Sequence, residues 1–135
     1  MMPLDSLQDK IRTKTAKLAV IGLGYVGLPV AAIFAATGYD VLGIEIRPDR
    51  VNVINSGKSP IEGEEPGLDE LIASTIKSGK LRASNQYNDL SECDVILVDV
   101  ETPVDDQNIP RYEALHSALN SLSKVLKQHA LVIIE

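Results

Sequence analysis

The chain has 135 residues, which is enough for one domain and too few for two of ordinary size. Its 13 basic and 19 acidic side chains give a formal net charge of −6, which argues against a partner bound through nucleic-acid phosphates or a polybasic membrane anchor. No apolar run approaches the roughly 20 residues that span a bilayer, residues 1–12 lack a hydrophobic signal core, and the single cysteine, Cys93, excludes an internal disulfide and a cysteine-rich metal site. We therefore expect a cytoplasmic protein that binds neither nucleic acid nor a membrane.

Short apolar runs, typical of buried strands, alternate along the chain with segments in which apolar residues recur at helical spacing. Residues 1–16 precede them as a polar lead-in, for which a short helix and disorder both stay open. The predicted elements, in chain order, are a strand at 17–22, a helix at 25–37, a strand at 39–46, helices at 50–55 and 68–79, strands at 81–84 and 94–100, a helix at 111–128 and a strand at 130–134. This alternation predicts an α/β fold with three layers, in which helices cover both faces of a doubly wound parallel sheet.

Two long connections, 56–67 and 101–110, contain the glycines and prolines that are typical of loops. Loops of this length in compact domains are often functional. The last predicted strand is followed only by Glu135. Because domains seldom end within a core element, we expect the sheet to be truncated at its last strand and the chain to be a fragment.

The first predicted strand leads into Gly22-Leu23-Gly24-Tyr25-Val26-Gly27, which has the spacing GxGxxG. The spacing alone is weak evidence, but here a strand precedes it and a helix follows it, as in dinucleotide-binding folds. We expect Gly22 to make the tight turn, Gly24 to let a pyrophosphate approach the backbone and Gly27 to let the helix pack close to the strand. The helix N-terminus would offer free N–H groups and the positive end of its dipole to the phosphates. The motif therefore predicts a dinucleotide site in a Rossmann-type fold.

A carboxylate stands at the end of the second predicted strand. Glu45 follows the glycine loop by about 20 residues, where an acid accepts hydrogen bonds from the ribose hydroxyls. Since such a carboxylate repels a 2′-phosphate, it favours NAD over NADP. Arg47 and Arg50 follow closely and could soften this preference, or could be solvated charges at the start of a helix. An NADP-dependent reductase of another Rossmann family therefore stays open as an alternative.

A more specific pattern extends over nearly the whole chain. Its segments are Ile21–Pro29, Gly43–Ile46, Val53–Gly57 with Pro60-Ile61, Glu65–Leu71 and Val100–Val104. Together they resemble the N-terminal domain of the UDP-glucose/GDP-mannose dehydrogenase family, from residue 17 to the end of the chain. This resemblance implies a lead-in at 1–16 and a Rossmann-type NAD-binding domain at 17–135, without the central helix and the C-terminal substrate domain of the family.

Members of this family oxidise the C6 hydroxyl of a nucleotide sugar to a carboxylate in two NAD-dependent steps. The resemblance thus implies NAD as the cofactor, a UDP-sugar as the substrate of the full-length enzyme and a role in polysaccharide biosynthesis. It also implies a homodimer, formed largely through a central helix beyond this chain. UDP-N-acetyl-mannosamine and UDP-glucose are the leading substrates, and the loop at 59–67 favours the first.

The resemblance also implies which residues bind the cofactor. They are Gly22, Leu23, Gly24, Tyr25, Val26, Gly27, Glu45, Arg50, Val100, Glu101 and Thr102. The last three match a strand-end segment beside NAD, which agrees with the rule that ligands bind outside the carboxyl ends of parallel strands. Two positions depart from the family pattern, since many members carry aspartate at position 45 and a small residue or proline at position 101. A carboxylate at Glu101 would face an anionic cofactor or substrate.

The catalytic chemistry of the family has no counterpart in this chain. The resemblance implies a nucleophilic cysteine that forms a thiohemiacetal and then a thioester with C6, assisted by a lysine, an asparagine and an aspartate in later segments. Cys93 matches no family cysteine motif, and His116 and His129 lack metal-ligand spacing. We therefore expect no catalytic residue, no metal site and no activity in this chain alone.

A stand-alone module that binds NAD(H) and signals without chemistry is the alternative function. It requires Glu135 to be the natural terminus. A continuation of the Ser-Thr-x-x-Pro-Gly type with a downstream cysteine would support the enzyme instead.

Overall fold

The computed structural model describes residues 4–135, which form a five-stranded sheet with helices on both faces. The strands are β1 (Lys17–Ile21), β2 (Asp40–Ile44), β3 (Leu81–Ser84), β4 (Val95–Val98) and β5 (Leu131–Ile134). The helices are α1 (Leu4–Arg12), α2 (Gly27–Ala36), α3 (Pro48–Asn55), α4 (Leu68–Lys77) and α5 (Glu113–Ser123), with a 3₁₀ helix at Tyr87–Glu92. Every pairing among these strands is parallel, in the order β3-β2-β1-β4-β5, which confirms the predicted Rossmann-type fold.

The central strands β1, β2 and β4 contribute to two separate cores, because successive side chains point to opposite faces of the sheet. Val20 and Val41 lie in one core, which α2 and α4 cover. Ile21 and Ile96 lie in the other, which α5 and the 3₁₀ helix cover. Burial on both faces explains why the strands read as continuous apolar runs rather than as an alternation of apolar and polar residues.

The strand order reverses direction at β1. The connection through α2 leads from β1 to β2 on one side, whereas β4 lies on the other side of β1. A crevice therefore opens at the carboxyl ends of β1 and β4, which is where open α/β sheets bind ligands. Helix α2 starts at this crevice with Gly27 and buries Leu28, Ala31 and Ala32 against the sheet.

A buried carboxylate closes the opposite, amino-terminal edge of the sheet. Asp94, which is 3% exposed, accepts hydrogen bonds from the Lys17 amide at 2.8 Å and from the Nζ atoms of Lys127 at 2.6 Å and Lys10 at 3.4 Å. These bonds tie together α1, β1 and the segment before β5. Burial by itself would raise the pKa of Asp94, but the hydrogen bonds from Lys127 and Lys17, with the charges of Lys127 and Lys10, lower it on balance.

The structure decides one open alternative, shortens one predicted helix and adds a 3₁₀ helix that was not predicted. The lead-in contains α1, which buries Leu7 in the core, while residues 1–3 of the predicted lead-in lie outside the described residues. The helix predicted at 111–128 is shorter, because α5 ends at Ser123. The 3₁₀ helix is too short to show a periodicity in the sequence, and its buried Leu90 holds it in place. None of the helices between residues 4 and 135 has the length and apolar character of a membrane span.

Strand β5 is less buried than its apolar sequence predicts. Leu131, Ile133 and Ile134 are 43%, 40% and 55% exposed. The reason is position, since β5 lies at the edge of the sheet and pairs with β4 alone. Val132 points to the face that α5 covers and packs into that core. The prediction of a buried last strand was therefore wrong for Leu131, Ile133 and Ile134.

Candidate functional site

An open crevice of about 1150 Å³ lies at the carboxyl ends of β1, β2 and β4. The glycine loop, the end of β2 with α3, and the segment after β4 form its walls. Its lining includes ten of the eleven residues predicted to bind the cofactor, namely Gly22, Leu23, Gly24, Tyr25, Val26, Glu45, Arg50, Val100, Glu101 and Thr102. The eleventh, Gly27, is buried at the start of α2. Residues far apart in sequence thus meet in one crevice.

The three glycines of the loop stand in three different surroundings. Gly22 has a φ of +98°, and a Cβ on it would lie 2.5 Å from the Asp99 carbonyl oxygen. A Cβ on Gly27 would lie 1.8 Å from the Gly22 carbonyl oxygen, so this position lets α2 and β1 approach each other. A Cβ on Gly24 would meet nothing within 4 Å. A side chain at Gly24 would therefore point into open space beside the loop, which is the space that a ligand needs.

The loop also presents unused hydrogen-bond donors. Among the described residues, the amides of Leu23, Gly24, Tyr25 and Val26 donate to no acceptor, whereas the Gly22 amide is bonded to the Ile44 carbonyl. These amides precede the first turn of α2, where the helix dipole is positive. Free donors at the N-terminus of a helix are suited to phosphate oxygens. The donor set and the open side of Gly24 therefore fit the pyrophosphate of a dinucleotide.

Glu45 and Arg50 form a half-buried ion pair at the end of β2. The Arg50 Nε atom donates to Oε1 of Glu45 at 2.6 Å, and the two side chains are 19% and 13% exposed. The Glu45 amide donates to the Ser84 carbonyl at 3.0 Å, which fixes its backbone to β3. A second Arg50 nitrogen, Nη2, donates to the Leu23 carbonyl at 2.8 Å. The acid that sequence placed near the ribose thus lies in the crevice, paired with an arginine.

Asp99 is a site residue that the sequence analysis missed. It follows β4 directly and lines the crevice between the glycine loop and Glu135. Its Oδ2 atom is buried and receives no hydrogen bond from residues 4–135. Burial, a hydrogen bond with Glu135 and the charge of that neighbour raise the pKa of Asp99 to about 7. The sequence does contain a signal for this residue, which is a carboxyl group directly after the continuous apolar run of β4.

The loop at 56–67 also reaches the crevice. Pro60, Ile61 and Glu62 line it, and the Tyr25 hydroxyl donates to the Glu62 carbonyl at 3.2 Å. Ile61 packs against the core beneath the sheet. Tyr25 is 63% exposed, so its ring stands at the rim of the crevice. The contact therefore joins the glycine loop to the long loop at 56–67.

Cys93 lies away from the crevice. It is buried, directly before Asp94 at the amino-terminal edge of the sheet. Burial, with a smaller contribution from the charge of Asp94, raises the pKa of the Cys93 thiol to about 11. The side chain is therefore a neutral thiol near pH 7 and is suited to packing rather than to nucleophilic attack.

Comparisons with known proteins agree with this geometry. The model of the UDP-glucose/GDP-mannose dehydrogenase family, NAD binding domain, matches residues 16–135. A UDP-N-acetyl-D-mannosamine dehydrogenase from Pyrococcus horikoshii is 39% identical over 119 residues, covering 88% of this chain and 28% of that protein. The enzyme of the same name from Campylobacter jejuni is 41% identical over 120 residues, again covering 88% of this chain and 28% of the relative.

Solved structures give the same result. The structure of the Pyrococcus horikoshii enzyme superposes with a TM-score of 0.82 at 38% identity, over 88% of this chain and 28% of the other. A ternary complex of GDP-mannose dehydrogenase from Pseudomonas aeruginosa superposes with a TM-score of 0.81 at 25% identity, over 87% and 27%. The chain thus spans less than a third of the length of these relatives. The expected family and the expected cofactor, NAD, are confirmed. The chain belongs to the UDP-glucose/GDP-mannose dehydrogenase family, of which it represents the NAD-binding domain.

Proposed function

We propose that this domain binds NAD within an enzyme that oxidises the C6 hydroxyl of a UDP-sugar to a carboxylate in two NAD-dependent steps. The observation that carries the proposal is the family match over residues 16–135, together with the crevice in which the expected residues meet. UDP-N-acetyl-mannosamine is the favoured substrate, since relatives at 38–41% identity are named as dehydrogenases of that sugar. UDP-glucose is the second candidate.

Each group of crevice residues has a proposed role. The free amides of residues 23–26 hold the pyrophosphate, and the Glu45 carboxylate accepts hydrogen bonds from the ribose hydroxyls. The segment Val100–Thr102 lies along the reactive end of the cofactor, where the exposed Glu101 carboxylate adds a negative charge. When bound, NAD supplies the hydride acceptor for each of the two oxidations. The domain contributes binding and orientation, and the groups that contact the sugar lie elsewhere in the parent protein.

Further properties of the parent protein belong to the same proposal. They are a lead-in at 1–16 with the NAD-binding domain at 17–135, a cytoplasmic location, a homodimer, and the supply of a nucleotide-linked uronic acid for polysaccharide biosynthesis. The net charge of −6 supports the cytoplasmic location, because an acidic chain is repelled by anionic membrane surfaces.

The substrate can be tested on the full-length protein that contains this chain. We expect UDP-N-acetyl-mannosamine to be oxidised with two equivalents of NADH formed per sugar, and GDP-mannose to serve as the poor substrate in the same panel. Absorbance at the NADH band and mass spectrometry of the product measure the stoichiometry and the gain of a carboxylate. NAD binding without oxidation of any sugar in the panel would contradict the proposed dehydrogenase activity and would favour the NAD(H)-sensing module.

The cofactor preference can be tested on the 135-residue domain by calorimetric titration with NAD and NADP. We expect NAD to bind more tightly than NADP by at least about tenfold, because the Glu45 carboxylate bonds the hydroxyls and repels a 2′-phosphate. The substitution Glu45→Gln should remove most of that ratio. Glu70→Gln, an exposed glutamate on α4, is the matched control and should leave both affinities unchanged. A wild-type domain that prefers NADP would contradict the role of Glu45.

A further inference from the structure

Arg50 joins two parts of the crevice that are distant in sequence. Its Nε atom donates to Glu45 Oε1 at 2.6 Å, and its Nη2 atom donates to the carbonyl oxygen of Leu23 at 2.8 Å. With 19% of its side chain exposed, Arg50 is held between them rather than extended into solvent. The guanidinium group is planar and its N–H directions are fixed, so the two bonds together define where both acceptors lie.

The Leu23 carbonyl belongs to a loop residue whose side chain is buried in the core. Leu23 is flanked by Gly22 and Gly24, and glycine permits backbone conformations that other residues do not. The peptide group is planar and trans, so a fixed Leu23 carbonyl also fixes the Gly24 N–H in the opposite direction. The bond from Arg50 therefore restricts rotation of the Leu23–Gly24 peptide group within the loop.

The ion pair also determines how the charges of the crevice are presented. One oxygen of the Glu45 carboxylate is occupied by Arg50, and among the described residues nothing else bonds that carboxylate. The second oxygen therefore stays available to a ribose hydroxyl. In turn, the Arg50 charge is compensated by Glu45 at short range, which weakens its attraction for a 2′-phosphate.

We infer that Arg50 is a positioning residue, which orders the glycine loop and orients the Glu45 carboxylate before the cofactor arrives. The inference rests on the proposed NAD site, and it assigns to Arg50 an action through Leu23 and Glu45 in addition to its expected contact with the cofactor. Preorganisation of this kind increases affinity because the loop loses less conformational freedom when the ligand binds.

The test compares Arg50→Met and Arg50→Lys with wild type in the absence and presence of NAD. We expect amide hydrogen exchange at Gly22 and Leu28, whose N–H groups bond the Ile44 and Gly24 carbonyls at the two ends of the loop, to accelerate by at least about tenfold in the NAD-free Arg50→Met domain. NAD affinity, measured by calorimetry, should fall by at least about tenfold. Arg50→Lys should restore only part of each effect, because one ammonium group cannot reproduce the planar fork. Arg82→Met, which removes an exposed arginine of β3, is the control and should change neither measurement.

The outcomes separate the inference from the proposed function. Unchanged exchange at Gly22 and Leu28 in both Arg50 variants, with weaker NAD binding, would show that Arg50 only contacts the cofactor and would overturn the positioning role. Failure of the wild-type domain to bind NAD would count against the proposed site, while faster exchange in the variants would still report the bond to Leu23. If Arg50→Met fails to fold, exchange and affinity in Arg50→Lys decide the question.

Discussion

Replacing Gly27 by alanine is expected to destabilise the domain strongly. A Cβ at this position would lie 1.8 Å from the Gly22 carbonyl oxygen and 3.3 Å from Cγ1 of Val20, so α2 must move away from β1. Overpacking of this kind costs about 1–3 kcal/mol and occasionally more, and backbone oxygen is among the least adaptable neighbours, so we expect at least about 2 kcal/mol. Urea denaturation followed by circular dichroism measures the free energy of unfolding.

Gly24 in the same motif should behave in the opposite way. No atom lies within 4 Å of the position of its Cβ, so Gly24→Val should change the free energy of unfolding by less than about 0.5 kcal/mol. The added side chain would occupy the space beside the free amides, and NAD affinity should fall by more than about tenfold. The two variants serve as controls for each other. Equal destabilisation by both substitutions, or wild-type NAD affinity in Gly24→Val, would contradict this division of roles.

This pair illustrates how much of the site follows from local sequence. The spacing of the glycines and the position of Glu45 reflect rules about a single strand–turn–helix unit and the strand after it. Such rules act over about 25 residues, so the sequence was sufficient to predict that these groups meet. The parallel pairing of the strands follows equally from continuous apolar runs separated by helices, because such runs are typical of a sheet that is buried on both faces.

Other contacts depend on tertiary neighbours that no local pattern reveals. Burial is the main cause of the raised pKa of Asp99, and the register of β4 and β5, which places Val98 beside Ile134, adds the nearby Glu135. The bond from Tyr25 to Glu62 depends on where a long loop folds back. The exposure of Ile133 depends on the edge position of its strand. Each of these features depends on which residues the fold brings together, and the residue types along the chain do not reveal it.

Removing the carboxylate of Asp94 is expected to produce the second large loss of stability. Asp94→Ala leaves the Lys17 amide without its acceptor and deprives Lys127 and Lys10 of their shared anion. Breaking a buried charge network costs about 3–5 kcal/mol, and the partial exposure of both lysines places the expected loss near 3 kcal/mol. Asp40→Ala is the control, since its exposed pair with Lys80 should contribute less than about 1 kcal/mol. A loss for Asp94→Ala no larger than for Asp40→Ala would contradict the structural role of the network.

The pH dependence of unfolding separates Asp94 from Asp99. The pKa of Asp94 is lowered from 3.8 by folding, so its stabilisation is present above pH 3.8 and is lost as the pH falls through the folded value. Asp99 acts in the opposite sense, because its pKa rises from 3.8 to about 7, so its contribution is complete below pH 3.8 and is lost as the pH rises toward 7. Asp99→Asn should therefore reduce the decline of the free energy of unfolding between about pH 4 and 7. Asp94→Asn should reduce the decline of the free energy of unfolding as the pH falls below about 4. An unchanged slope in Asp99→Asn would contradict a raised pKa of the Asp99 carboxyl group in the folded domain.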